Sequence, residues 1–196
     1  MKIYAVTLMP ELLKSALSHG VIGQALNDEK WSLEIVNPRE FTTDTHHTVD
    51  DAVFGGADGM LLMAEPLAKA IEKIRALTPD TKVIHLSPRG KKFDDKLARE
   101  WAKAGTSLTF VASRYAGADE RFIQEFCDEE ISVGDFVVSG GDLPTALVVD
   151  AVLRHRQGVL GNQASAANDS FSSGILKVRS TLAHANGVAS ISRRRW

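Results

Sequence analysis

The chain has 196 residues, 44% of them apolar, a formal net charge of −2 and one cysteine. That length predicts one domain, or one domain with an appendage, and can bury a core without staples. Cys127 alone excludes an internal disulfide framework and a cysteine-based metal site. The bulk charge does not advertise a nucleic-acid binder, so any RNA contact has to come from a local patch.

The opening "MKIYAVTLMPELL" lacks the apolar core and cleavage site of a signal peptide. No apolar run reaches the roughly 18 residues of a membrane span. The expectation is a cytoplasmic protein with no membrane partner.

In chain order, "KIYAVTL" (2–8) is β-rich, and Pro10 stands at a plausible first helical position. "WSLEIVN" (31–37) alternates like a half-buried strand. Residues 38–59 form a long polar stretch with little periodicity, of the kind that is usually functional or mobile. "MLLM" (60–63) predicts a short buried strand. The helix that follows places Leu67, Ala70, Ile71, Ile74 and Leu77 on one face. "KVIHL" (82–86) and "SLTFVA" (107–112) are strands, with "DDKLAREWAKA" (94–104) as a helix between them and "DERFIQEF" (119–126) as a helix after them. The stretch from Glu129 to Val152 begins as a strand and ends as a helix, with Ser139-Gly140-Gly141-Asp142 between. Alternating strands and helices predict an α/β fold with a mainly parallel sheet flanked by helices.

Three successive strand ends carry small-residue loops: "LSPRGKKF", "SRYAGADER" and "VVSGGDLP". In open α/β sheets ligands bind outside the carboxyl ends of the strands, so these loops predict one nucleotide-sized pocket. Each loop alone is more simply a turn. "GGADG" has no Gly-Lys-Ser/Thr after it and "SGGDLP" is not GxGxxG, so an ATP or dinucleotide site has little support. His46 and His47 read as solvated loop residues, Trp31 and Trp101 as half-buried aromatics, and Arg89, Lys91 and Lys92 as a small basic cluster able to meet phosphates or simply a solvated turn.

In order and spacing, "FTTDTHHTVDDAVFGG", "LSPRGKKFDD", "SRYAGADERFI", "EEISVGDFVVSGGDLPT" and "GVLGNQASAANDSF" resemble the bacterial tRNA (guanine-N1)-methyltransferases of the SPOUT, trefoil-knot class. The resemblance runs from Met1 to about Val178 and is most diagnostic at "SVGDFVVSGG" and "NDSF". It implies a deep C-terminal knot, a homodimer with active sites built across its interface, a tRNA substrate, and methyl transfer from S-adenosylmethionine to N1 of the guanosine 3′ of the anticodon (position 37). A knot is a rare exception to the rule that chains do not thread loops, and periodicity alone would not predict it.

The resemblance implies a cofactor site made of Leu86, Ser87 and Pro88, of Ser113, Tyr115 and Gly117, and of Ser132, Val133, Gly134, Asp135, Phe136, Val137, Val138, Gly140 and Gly141. Glycines there would let backbone approach the adenine edge, and valines would supply apolar walls. Guanine N1 carries a proton and is a poor nucleophile until that proton leaves. Asp169, otherwise a plausible helix cap, matches the family's general base. Arg154, otherwise a solvated residue at a helix C-terminus, matches its arginine near the base and cofactor. In such a family Mg²⁺ supports the transfer, and a weakly held Mg²⁺ leaves little signature in a sequence; no metal ligands are assigned. The chain departs from the family pattern at Ala57, Ser113 and Ala116. Two competing readings are an S-adenosylmethionine-binding dimer without turnover and a generic α/β nucleotide-binding enzyme.

On this reading residues 1–160 form the cofactor-binding knot domain and 161–178 a linker carrying Asp169. The family continues with a Pro-x-Tyr-Thr-Arg-Pro…Trp-x-Gly segment and a helical tRNA-gripping domain, neither of which is present as written. Residues 179–190 can be back-translated so that one added C yields Pro-Gln-Tyr-Thr-Arg-Pro-Arg-Glu-Trp-Arg-Gly-Ile, with third bases chosen freely. The expectation is that residues 179–196 are an out-of-frame tail on a truncated enzyme with weak tRNA methylation.

Overall fold

In a computed structural model, residues 1–56, 58–160 and 170–171 are described. Five parallel strands make the main sheet: β1 (Lys2–Thr7), β2 (Ser32–Val36), β5 (Lys82–Lys92), β6 (Leu108–Ala112) and β7 (Glu129–Ser132), in the order β2-β1-β6-β5-β7. A separate antiparallel pair joins β3 (Asp50–Ala52) to β4 (Met60–Leu62).

Helices cover both faces of the sheet, and alternation along each strand decides which residue meets which face. Ile3, Ala5, Ile84, Leu108 and Phe110 pack with buried residues of α1 (Pro10–Leu17), α2 (Gly20–Asn27), α4 (Asp95–Ala104) and α6 (Asp142–Leu153). Tyr4, Val6, Val83 and Val111 face the other way, against α3 (Ala64–Leu77) and α5 (Glu120–Phe126). This is the α/β architecture predicted from the alternating pattern.

Local chemistry sets the helix ends. Pro10 occupies the first turn of α1, where its missing N–H costs nothing. Asp94 caps α4 by accepting from the Leu97 amide at 2.8 Å, and Gly105 ends that helix in the left-handed region.

Several local expectations are corrected. Residues 38–59 hold a 3-10 turn at Pro38–Phe41 and the strand β3. The "MLLM" strand lies outside the main sheet; it pairs with β3, and its Leu62 amide donates to the Gly117 carbonyl. Leu77, the last residue of α3, is exposed, so the buried face of the helix ends at Ile74. Trp31 and Trp101 are buried, and the Trp31 indole donates to the Ile22 carbonyl at 2.9 Å. α2 was not anticipated. The strand starting at Glu129 stops at Ser132, so "VGDFVV" is loop.

Candidate functional site

The expected loop after "KVIHL" is instead an irregular stretch inside β5, where the pairing with β7 slips between Leu86 and Lys91. This stretch and the segments that end β6 and β7 lie side by side and converge. They enclose a cleft of about 640 Å³. Leu86, Ser87 and Pro88 come from the first segment and Ser113, Tyr115 and Gly117 from the second. The third supplies Ser132, Val133, Gly134, Phe136, Val137, Val138, Gly140 and Gly141. Fourteen of the fifteen predicted cofactor positions thus line one cavity; Asp135 is exposed and is not part of the wall. It lies in a loop that presents Phe136, Val137 and Val138 to the cleft.

The walls are mostly apolar, with Leu86, Ile131, Val133, Val137, Val138 and Pro144 among the lining residues. The cleft's rim also takes in Val53, Asp58 and Leu61, brought there by the β3–β4 pair. That pair is fastened to the second loop, since the Ala116 amide donates to the Met60 carbonyl at 2.9 Å and Asp119 N–H to the Leu62 carbonyl at 3.0 Å.

The glycine turn before α6 has a tighter role than ligand approach. A Cβ on Gly141 would stand 2.7 Å from the Ala112 Cα, and one on Gly140 would stand 2.6 Å from the Arg114 Cδ. The space these glycines leave open is filled by the end of β6 and by Arg114. The Gly141 amide also donates to the Ser113 carbonyl at 2.8 Å. The turn therefore joins the second loop to the third.

Beneath the turn lies a polar knot of side chains that sequence reasoning missed. Asp142, the first residue of α6, is 1% exposed and accepts from the Thr7 hydroxyl at the end of β1. The Arg114 guanidinium lies 3.5 Å from its other oxygen. Thr7 in turn accepts from the Met9 amide at 2.8 Å. A buried carboxylate needs such partners, and these three hold β1, the second loop and α6 in one arrangement.

His85 was also missed. It is buried, lines the cleft, and bonds Glu130 through Nδ1 and Ser113 through Nε2. Burial pushes its pKa below the ordinary imidazole value, against the opposing pull of Glu130. A histidine in the otherwise apolar run "KVIHL" was the available signal, since buried polar side chains have partners.

Arg154 follows α6 and does not border this cleft. It lines a second depression with Ala151, His155, Phe171 and the exposed side of α4, including Asp95 and Arg99. Asp169 lies outside the described residues. Arg89 of the small basic cluster sits 3.6 Å from Glu120. Asp44 gathers the loop holding His46 and His47, accepting from the Thr48 hydroxyl at 2.7 Å. Among the described residues no group of three or more His, Cys, Asp or Glu side chains is placed to hold a metal ion. No described helix is long and apolar enough to cross a membrane.

The tRNA (Guanine-1)-methyltransferase TrmD family model matches residues 1–185. A tRNA (guanine-N(1)-)-methyltransferase of Vibrio campbellii is 48% identical over 172 residues, 87% of this chain and 69% of that protein. One from Neisseria gonorrhoeae is 50% identical over 177 residues, 90% and 71% of the two chains. The crystal structure of a tRNA (m1G37) methyltransferase from Aquifex aeolicus superposes with a TM-score of 0.75 at 32% identity, over 83% of this chain and 72% of that one. With a model spanning most of its length and relatives near half identity, the chain belongs to the tRNA (guanine-1)-methyltransferase family.

Proposed function

We propose that the protein transfers a methyl group from S-adenosylmethionine to N1 of guanosine 37 in tRNA. The observation that carries this is the convergence of segments from β5, β6 and β7 on one cleft in a chain of this family. The family implies use of S-adenosylmethionine, and the wall suits it. Leu86, Ile131, Val133 and Val138 offer apolar contact, and the adjoining loop backbones offer hydrogen bonds. When bound, that cofactor supplies an electrophilic methyl group.

The work left to the protein is to prepare the nucleophile. Asp169 takes the proton from guanine N1 as general base. Arg154 stabilises the negative charge that develops toward O6. No step is assigned to Mg²⁺, because the described residues offer it no cluster.

A homodimer is part of the proposal. α6 is apolar nearly all round, "DLPTALVVDAVL", and Leu143 and Leu147 are 56% and 53% exposed. A helix of that kind is normally covered on every side. A second copy packed there would cover the two leucines, and a site spanning the interface would let Arg154 act on a base held at another copy's cleft. The trefoil knot and a cytoplasmic setting belong to the same reading.

Calorimetry with S-adenosylmethionine, NAD and ATP tests the cofactor: the first should bind, the others not. Single-turnover methylation of tRNA carrying guanosine 37 tests the reaction. A second reading is an S-adenosylmethionine-binding dimer with little methylation. The same turnover assay separates the two.

A further inference from the structure

His85, Glu130 and Ser113 meet because of strand register. In the parallel pairing, His85 of β5 stands opposite Glu130 of β7 and opposite Val111 of β6. Ser113 is two residues beyond Val111, so its side chain leaves on the same face. Three strands thereby aim three polar groups at one point under the cleft.

Proton placement follows from the bonds. Glu130 Oε1 lies 2.9 Å from His85 Nδ1, and a carboxylate can only accept. Nδ1 therefore carries the hydrogen. With the ring neutral, Nε2 is a bare acceptor. Ser113 Oγ, 2.7 Å away, has to donate to it. The single proton of Ser113 is committed inward, and only lone pairs remain for the cleft that Ser113 lines.

We infer that Glu130, His85 and Ser113 form a proton-ordered relay whose end is an acceptor-only oxygen in the cofactor cleft, there to select a hydroxyl or ammonium donor of the ligand. Ser113 touches the ligand, while His85 and Glu130 are positioning residues. The relay has a second setting. A proton added at Nε2 makes the ring a donor to Ser113, and the hydroxyl turns to point its own hydrogen into the cleft. That setting opposes a ligand donor. Burial and the Arg89 guanidinium disfavour the charged ring, while Glu130 and Glu120 favour it. The neutral ring is the form that binds, so affinity weakens as pH falls through the His85 midpoint.

The inference rests on S-adenosylmethionine as the ligand. The test combines ¹⁵N NMR of the histidine ring nitrogens in the free protein with calorimetry of S-adenosylmethionine between pH 5 and 7. That window lies below the amine range of about 7.7–8.0, so the ligand's own ammonium does not titrate. NMR should find the Nδ1–H tautomer of His85 at pH 7. Wild-type Kd should rise on the acid side of the midpoint measured by NMR. Ser113→Ala should bind roughly 5–10-fold more weakly at pH 7 and lose most of the pH dependence. Glu130→Gln, whose amide can accept from or donate to Nδ1, should release the tautomer preference. An Nε2–H tautomer at pH 7, or a Ser113→Ala variant with unchanged Kd and pH profile, overturns the relay. Wild-type protein that binds no S-adenosylmethionine while keeping the Nδ1–H tautomer overturns the ligand reading instead, and with it the role of Ser113 as a cofactor contact.

Discussion

Gly141 faces Ala112 so closely that a Cβ would come within 2.7 Å of its Cα and 3.0 Å of its carbonyl carbon. Both atoms are backbone at the end of a buried central strand, so neither can give way easily. Gly141→Ala should destabilise the fold by about 1–3 kcal/mol, as overpacking of a close contact does, and Gly141→Val by more. Urea denaturation measures it. Wild-type stability in Gly141→Ala would show that the turn can move away from β6.

Acid should weaken the folded state. Burial, chiefly, holds His85 and His155 below the ordinary imidazole pKa of 6.5; Arg99 and Arg154 press the same way on His155. The unfolded chain takes up these protons near pH 6.5, and the folded chain only at lower pH. Stability is therefore full above 6.5 and is lost as pH falls through the depressed values. Denaturant midpoints measured from pH 7.5 down to 5 should decline below 6.5; a flat profile contradicts the burial of both rings.

Cys127 should be chemically quiet. Its thiol is pushed up to about 12, first by burial and then by Glu130 and Asp128. Reaction needs the thiolate, so a disulfide reagent at pH 8 should modify the native protein far more slowly than the denatured one. Equal rates would mean the thiol is not held in this environment.

Asp169→Asn should lower methyl transfer by about 10²–10⁴-fold, the usual contribution of a general base. S-adenosylmethionine binding should persist, because the proposed cofactor wall is built from other residues. Single-turnover rates and calorimetry on the same preparation read both quantities, and a near wild-type rate removes Asp169 from the mechanism.

Much of the fold could be read from local patterns. Pro10 marks the start of α1, and the face formed by Leu67, Ala70, Ile71 and Ile74 marks α3; both effects act within a turn or two of chain. The cleft segments after β6 and β7 were legible because small residues cluster there. The first lies inside β5, where pairing with β7 slips between Leu86 and Lys91, a slip that depends on a partner distant in sequence. β3 was not, since its three residues "DDA" have no strand pattern of their own and pair only through β4. The relay from Glu130 through His85 to Ser113 was hidden for a similar reason. It exists only once the registers of three strands are known, and its one local sign is His85 within a buried strand. The tight fit at Gly141 likewise depends on β6, which is distant in sequence.

The place of β1 in the sheet bears on how the chain is made. β1 is synthesised before the other strands of its sheet, yet it is an interior strand whose Ile3 pairs with Leu108 of β6. Its β2 side can close early, through pairs such as Ile3 with Leu33. Its other edge stays open until β6 leaves the ribosome. At about 5–20 residues per second, that is several seconds or more during which an apolar edge is available to other chains. In that interval a nascent chain of this protein offers an unpaired edge of β1 to other chains, well before the cleft can exist.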